Sequence, residues 1–303
     1  MKNPIRILLQ STIPYSEDDW HIGRYSMLRD YLSSLRNENG EPLFEITARN
    51  IERNADGNDA VLSRLDETDF DEVWLFAVDL GDGMTSDDCA GITRFRQRGG
   101  GILATRDHED LGKSLCTLGG IGKAHFFHSQ NPEPDESRHT EDDNVTTNIS
   151  WPNYHSGSNG NYQRITAVEP THDLLKRPNS KPGRIELFPA HPHEGAVGVP
   201  DGESDARVVA TGTSLITGRP FNLVVAFDRA EDDHGNTLGR GIVESSFHHL
   251  VDYNWDVDKG CPSFVEEPPG DGYKQEPEAL EDIKAYVRNA ASWLAPVNVA
   301  IGD

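Results

Sequence analysis

Gly99-Gly100-Gly101-Ile102-Leu103-Ala104-Thr105-Arg106-Asp107-His108-Glu109-Asp110-Leu111-Gly112 reads as a helix stop, a short buried strand and an abrupt charged turn. The glycines close the preceding helix, and the apolar run has the length of a strand covered on both faces. In an open parallel sheet, side chains at the carboxyl ends of the strands line the ligand crevice. Residues 106–110 are therefore the first candidates for chemistry, although five ionisable groups in a row equally suit a solvated strand-to-helix loop.

Working outward, Glu72-Val73-Trp74-Leu75-Phe76-Ala77-Val78 is a second nearly continuous apolar run, the pattern of a parallel strand between two helical layers. Strands are predicted over 5–10 and 44–48, with a helix between them over 22–35 that closes at Asn39-Gly40. Residues 59–65 suit a short helix. Thr85 or Ser86 caps the helix that ends at Gly99, with Asp87 and Asp88 in its first turn, where the helix dipole favours anions. This alternation of strand and helix is the signature of βαβ units, and so of an α/β fold with a mainly parallel central sheet.

Regularity fails over about 119–165, which reads as a long irregular insertion near the site. Strand-like runs return at 185–188, 206–211, 221–227 and 241–247, where they extend or flank the sheet. A Pro-, Gly- and acid-rich loop occupies about 260–276, and the apolar positions from Leu280 to Leu294 form one stripe of a closing helix. One domain over 1–303 accommodates all of these segments.

The chain holds 51 acids against 28 bases, a formal charge of −23, and the acids are dispersed and not gathered in a tail. A phosphate backbone needs a basic surface, so nucleic acid is disfavoured as a partner. Three cysteines, Cys89, Cys116 and Cys261, stand at wide spacings with no CxxC pair, which argues against a disulfide framework and a zinc knuckle. No stretch has the length of a signal peptide's apolar core or a membrane span, and a cytoplasmic protein with no membrane partner is expected. Self-association through an edge strand or the closing helix is open.

Further groups are candidates for chemistry. His191-Pro192-His193-Glu194-Gly195 follows a strand; in extended chain both imidazoles point one way and Glu194 the other. Two solvated loop histidines would look the same. Ser245-Ser246-Phe247-His248-His249 ends an apolar run, and strand alternation would send one ring to the crevice and one to a buried partner. Tyr253 and Trp255 suit core or rim packing, and Asp79 and Trp20-His21 follow strands and can edge the crevice. The glycine triplet precedes a strand, whereas a dinucleotide site needs its glycines between strand and helix, so no nucleotide cofactor is expected. No serine or cysteine sits in a G-x-S-x-G elbow.

Taken in order, these landmarks resemble the ThuA-like (trehalose-utilisation) branch of the class I glutamine amidotransferase-like superfamily. Residues 70–78 followed by 85–101 are similar to its strand, helix and glycine triplet, and His108 falls near its elbow. Thr171-His172-Asp173-Leu174-Leu175 resembles its His-Pro segment, with Asp173 in place of the proline. Pro192-His193-Glu194 is similar to its acidic-pair segment, 239–243 through His248 to its last strand, and Ser292-Trp293-Leu294 to its closing helix. The resemblance implies a flavodoxin-like three-layer sandwich. It also implies no glutaminase activity, because Arg106, Asp107 and His108 stand where the amidotransferase cysteine would be.

These readings converge on an enzyme, a hydrolase or lyase by class, acting on a small polar and by resemblance sugar-derived substrate. His108, His193 and His248 are the candidate ligands of a divalent metal, zinc first, and the same three with Glu109 and Glu194 are the candidate catalytic residues, the carboxylates as general bases. The contrasting expectation is a catalytically silent member of the fold that binds a small molecule or a partner chain.

Overall fold

A computed structural model describes residues 3–76, 83–106, 118–125, 135–138, 142 and 153–297. Four strands with apolar faces, β1 (Ile5–Ser11), β2 (Phe44–Arg49), β3 (Glu72–Phe76) and β4 (Gly101–Thr105), lie parallel in the order β2-β1-β3-β4. Short segments follow: β5 (Tyr162–Arg164), β6 (Thr166–Ala167) and β7 (Leu187–Pro189). Then come β8 (Ala206–Thr213), β9 (Pro220–Phe227) and β10 (Gly241–Glu244). β10 adds parallel to β4, while β9, β8 and β6 continue antiparallel to complete an eight-stranded sheet; β5 and β7 pair separately. With β10 in fifth place, the parallel half has the 2-1-3-4-5 order of the flavodoxin-like class.

Alternation along the strands sorts side chains into two cores. Ile7, Leu9, Trp74, Leu103 and Ile242 face one layer, which holds α1 (Ser26–Ser34) and the closing helix. Leu8, Val73, Leu75, Ile102, Ala104 and Val243 face the other, with α2 (Ser86–Gln97) and the 3₁₀ turn Leu62–Glu67. The remaining helices are α3 (Asp252–Trp255), α4 (Gly272–Gln275) and α5 (Pro277–Leu294). The expected three-layer α/β sandwich is the observed one. Among the described residues, no helix is long and apolar enough to cross a membrane.

The quoted stretch folds as read up to Arg106. Thr85 and Asp88 form a capping box at the start of α2, and Gly100 N–H returns to the Phe95 carbonyl at its end. Gly101 lies under α5 so closely that a Cβ there would sit 2.5 Å from the Leu294 carbonyl oxygen. Any larger residue would push the closing helix off the sheet.

Three elements depart from the sequence reading for tertiary reasons. The helix expected over 22–35 splits into a 3₁₀ turn, Ile22–Tyr25, and α1, because the Asp252 carboxylate accepts the N–H groups of Ser26 and Met27 at 3.1 and 2.7 Å and caps α1 from a distant segment. The strand expected at 185 begins at Leu187, since the N–H groups of Glu186 and Leu187 both donate to Asp282 of α5 at 2.9 Å. The strand expected to reach 247 stops at Glu244, and Phe247–His249 form a 3₁₀ turn capped by the Ser246 hydroxyl.

Candidate functional site

The register sets Ser11 opposite Phe76 and Glu244 opposite Thr105, so β1, β3, β4 and β10 end along one edge. Whatever follows these strands shares that rim. Arg106 closes the join: its carbonyl accepts the Phe247 N–H at 2.6 Å, tying the end of β4 to the histidine turn after β10. His108 and Glu109, with Asp79 and Cys116, lie outside the described residues.

His191, His193 and His248 meet at this rim. The rings of His191 and His248 stack at a centroid separation of 3.6 Å and 13° between planes, and His191 meets His193 edge-on at 5.3 Å. One hydroxyl holds the stack: Ser246 Oγ accepts the His248 N–H at 3.1 Å and lies 3.2 Å from His191 Nδ1. Trp20, following β1, packs its edge on His248 at 4.8 Å. His191 and His248 are buried, whereas His193 is part-exposed, with Nδ1 3.4 Å from Asn153 Oδ1.

Glu194 points the other way, as extended chain requires. It is fully buried, and its oxygens accept from Gln163 Nε2 and Ser245 Oγ at 2.7 Å each and lie 2.9 Å from Ser156 Oγ. His249 Nε2 is 3.1 Å from the same carboxylate, His249 Nδ1 is 3.4 Å from Glu244, and the Tyr286 hydroxyl donates to Glu244 at 2.7 Å. Burial alone would lower the pKa of His249; the charge and hydrogen bond of Glu194, joined by those of Glu244, outweigh it and raise the pKa to about 10. The interior thus holds an imidazolium between two carboxylates. Glu194 is enclosed among these donors with no exposed surface, a setting that suits a support behind the rim.

This buried network carries the rim. Ser156 Oγ, beside Glu194, also accepts the His191 N–H at 2.9 Å, and Ser245 links Glu194 to the turn that bears His248. The two histidines of the turn do take different surroundings, but the 3₁₀ turn separates them, not strand alternation.

His172, from the family-like His-Asp-Leu-Leu segment, is not at the rim. It is buried edge-on against Trp293 at 5.1 Å, and burial, with Arg207 nearby, lowers its pKa to about 4. Asn153, Ser156 and Gln163 carry no mark in the sequence, since each stands among many other polar residues of the irregular 119–165 region. Glu244 sits inside an apolar strand, and that burial pattern was the available signal.

The Pro-, Gly- and acid-rich loop of about 260–276 is fastened across the rim as a strap. Ser263 donates its N–H and hydroxyl to Asp18, Gly270 N–H bonds the Asn159 carbonyl at 2.7 Å, and Gly272 N–H bonds Asn161 Oδ1 at 3.0 Å. Tyr253, packed on Trp20 at a ring separation of 6.5 Å, lies beneath it.

No protein-family model matches this sequence, and no curated protein matches it. Among solved structures, the N-terminal domain of mmIFT52 is similar at 12% identity and TM-score 0.45, over 82% of this chain and 88% of that one. A protein described as ThuA-like from Bacteroides uniformis is similar at 12% identity and TM-score 0.44, over 97% and 93%. The glutaminase domain of a Trypanosoma brucei CTPS is similar at 13% identity and TM-score 0.43, over 98% and 100%. The fold assignment stands on the strand order and layers described above.

Proposed function

We propose that the chain is a ThuA-like enzyme that binds a small polar substrate, sugar-derived by the resemblance, at the histidine rim and moves a proton with His193 and His248. The observation that carries this reading is the convergence of His191, His193 and His248 at the carboxyl edge of the parallel strands, where α/β folds bind ligands. Imidazole exchanges protons near neutrality, and His193 is the ring with access to solvent. His248, stacked on His191 and held through Ser246, has a fixed orientation, which a proton donor or acceptor needs. Glu194 and His249 act behind them as supports.

A divalent ion, zinc by the preference of imidazole donors, belongs to the same proposal through His108, His193 and His248, with Glu109 as base. Among the described residues no group of three His, Cys, Asp or Glu side chains is arranged to hold a metal ion, so an ion at this rim would need a ligand from beyond them, the part this proposal gives to His108. Metal analysis of the untagged protein tests this part separately.

The experiment for the enzyme reading is product detection by mass spectrometry in a pool of small sugars and polyols, with wild type beside His248→Phe and His193→Gln. Phenylalanine keeps the stack and removes proton transfer. Products formed by the wild type and lost in both variants support the reading. Products that persist in both, or ligand-induced thermal shifts with no product, favour the catalytically silent binder.

A further inference from the structure

Beside the histidine rim lies an acid that the proton-transfer reading does not use. Glu267 comes from the strap over the rim, and its side chain is only 9% exposed. Oε1 lies 3.5 Å from His155 Nε2 and 3.5 Å from Ser158 Oγ, both at the long limit of a hydrogen bond. Oε2 is buried and has no hydrogen-bond partner among the described residues. A buried carboxylate oxygen left without a donor carries its full desolvation cost, so a donor supplied from outside the chain would be strongly favoured there.

Two observations place this oxygen next to the rim. Tyr154 and Glu194 pair in antiparallel fashion and both face inward, so Asn153 and His155, on either side of Tyr154, face the side on which Asn153 meets His193. On its other flank, the negative charge of Glu267 is felt by the Tyr253 hydroxyl, and Tyr253 packs on the same Trp20 that touches His248. Residues 256–276 contribute six acids against two lysines, and Glu17, Asp18 and Asp19 lie where Ser263 is clipped down. The approach is therefore negative, and it repels an anion while drawing in a cation.

We propose that the ligand of this rim carries a cationic nitrogen, a primary ammonium or a guanidinium, which Glu267 receives beside the histidines. The inference rests on the rim being the ligand site, and it names the class of ligand. An ammonium or guanidinium supplies donors only, which is what an acceptor-only oxygen lacks, and it neutralises the charge that burial penalises. A neutral hydroxyl supplies a single weaker donor.

Calorimetry and histidine-detected NMR with three probes of similar length test it: cadaverine, agmatine and the neutral 1,5-pentanediol, on the full chain. Wild type is expected to bind one or both cations and not the diol, and Glu267→Gln to weaken that binding by about tenfold or more, the worth of one charge-assisted hydrogen bond. Glu266→Gln removes the same net charge from an exposed neighbour and is expected to leave binding unchanged. Glu267→Gln should keep the wild-type melting temperature, which shows that lost binding is not lost folding. Binding of the diol as tightly as the cations, binding that survives Glu267→Gln, or no binding of either cation overturns the proposal. If cations bind through Glu267 yet leave the His193 and His248 resonances unmoved, the cation site stands and the rim reading fails. If only the diol moves those resonances, the rim reading stands and the cation proposal fails.

Discussion

His249 Nε2 lies 3.1 Å from Glu194 Oε1 where solvent reaches neither side chain. With Glu244 on the opposite ring nitrogen, this contact joins β10 to the segment that carries His191 and His193. The folded state holds the proton on His249 up to about pH 10, whereas an unfolded histidine releases it near pH 6.5. The stabilisation is therefore complete below about pH 6.5 and is lost as pH rises through 10. Denaturation measured from neutral to alkaline pH should show stability falling by up to about 1.4 kcal/mol per pH unit, and His249→Gln should flatten that limb.

Removing the carboxylate leaves the imidazolium half paired and strands Gln163, Ser156 and Ser245. Glu194→Ala is expected to cost about 3–5 kcal/mol, the range for breaking a buried ion pair by deleting one partner. Urea unfolding measures the loss. A cost below about 1 kcal/mol would mean that the pair does not hold the rim together.

His172 shifts in the opposite sense. Its folded pKa, near 4, lies below the unfolded value, so the neutral form stabilises the fold above about pH 6.5 and that stabilisation is lost as pH falls toward 4. His172→Asn should shallow the acid limb of the stability profile while leaving the alkaline limb intact. The two histidines together confine maximal stability to near-neutral pH.

Gly160 has φ +80°, and a Cβ there would meet Val257 Cγ1 at 2.3 Å and the Gly270 carbonyl oxygen at 2.7 Å. Gly160→Ala is expected to lift the strap and cost about 1–3 kcal/mol of local strain. Hydrogen exchange should accelerate over 260–273 with the central sheet unchanged. Uniform acceleration across the chain would instead mark the strap as part of the global folding unit.

The sheet was legible because burial on two faces leaves a mark in the sequence. Glu72 to Phe76 and Gly101 to Thr105 are apolar over the length of a strand and are bounded by turn residues, and those two properties suffice to order strand and helix along the chain. The helix caps at Thr85 and near Gly100 are equally local, since they involve residues three to five apart. Where a distant group supplied the cap, as Asp252 does for α1, the boundary could not be read.

The sequence alone determined the α/β alternation and the opposite facing of His193 and Glu194, because each follows from the periodicity of neighbouring residues. Only tertiary structure decided that His248 stacks on His191 while His249 is sealed between two carboxylates. Only tertiary structure also decided that an acid in a proline-rich loop loses its solvent beside them. Those properties depend on which chains pass within a few ångströms after folding, and on the water their passage excludes, and neither is encoded by residues adjacent in sequence.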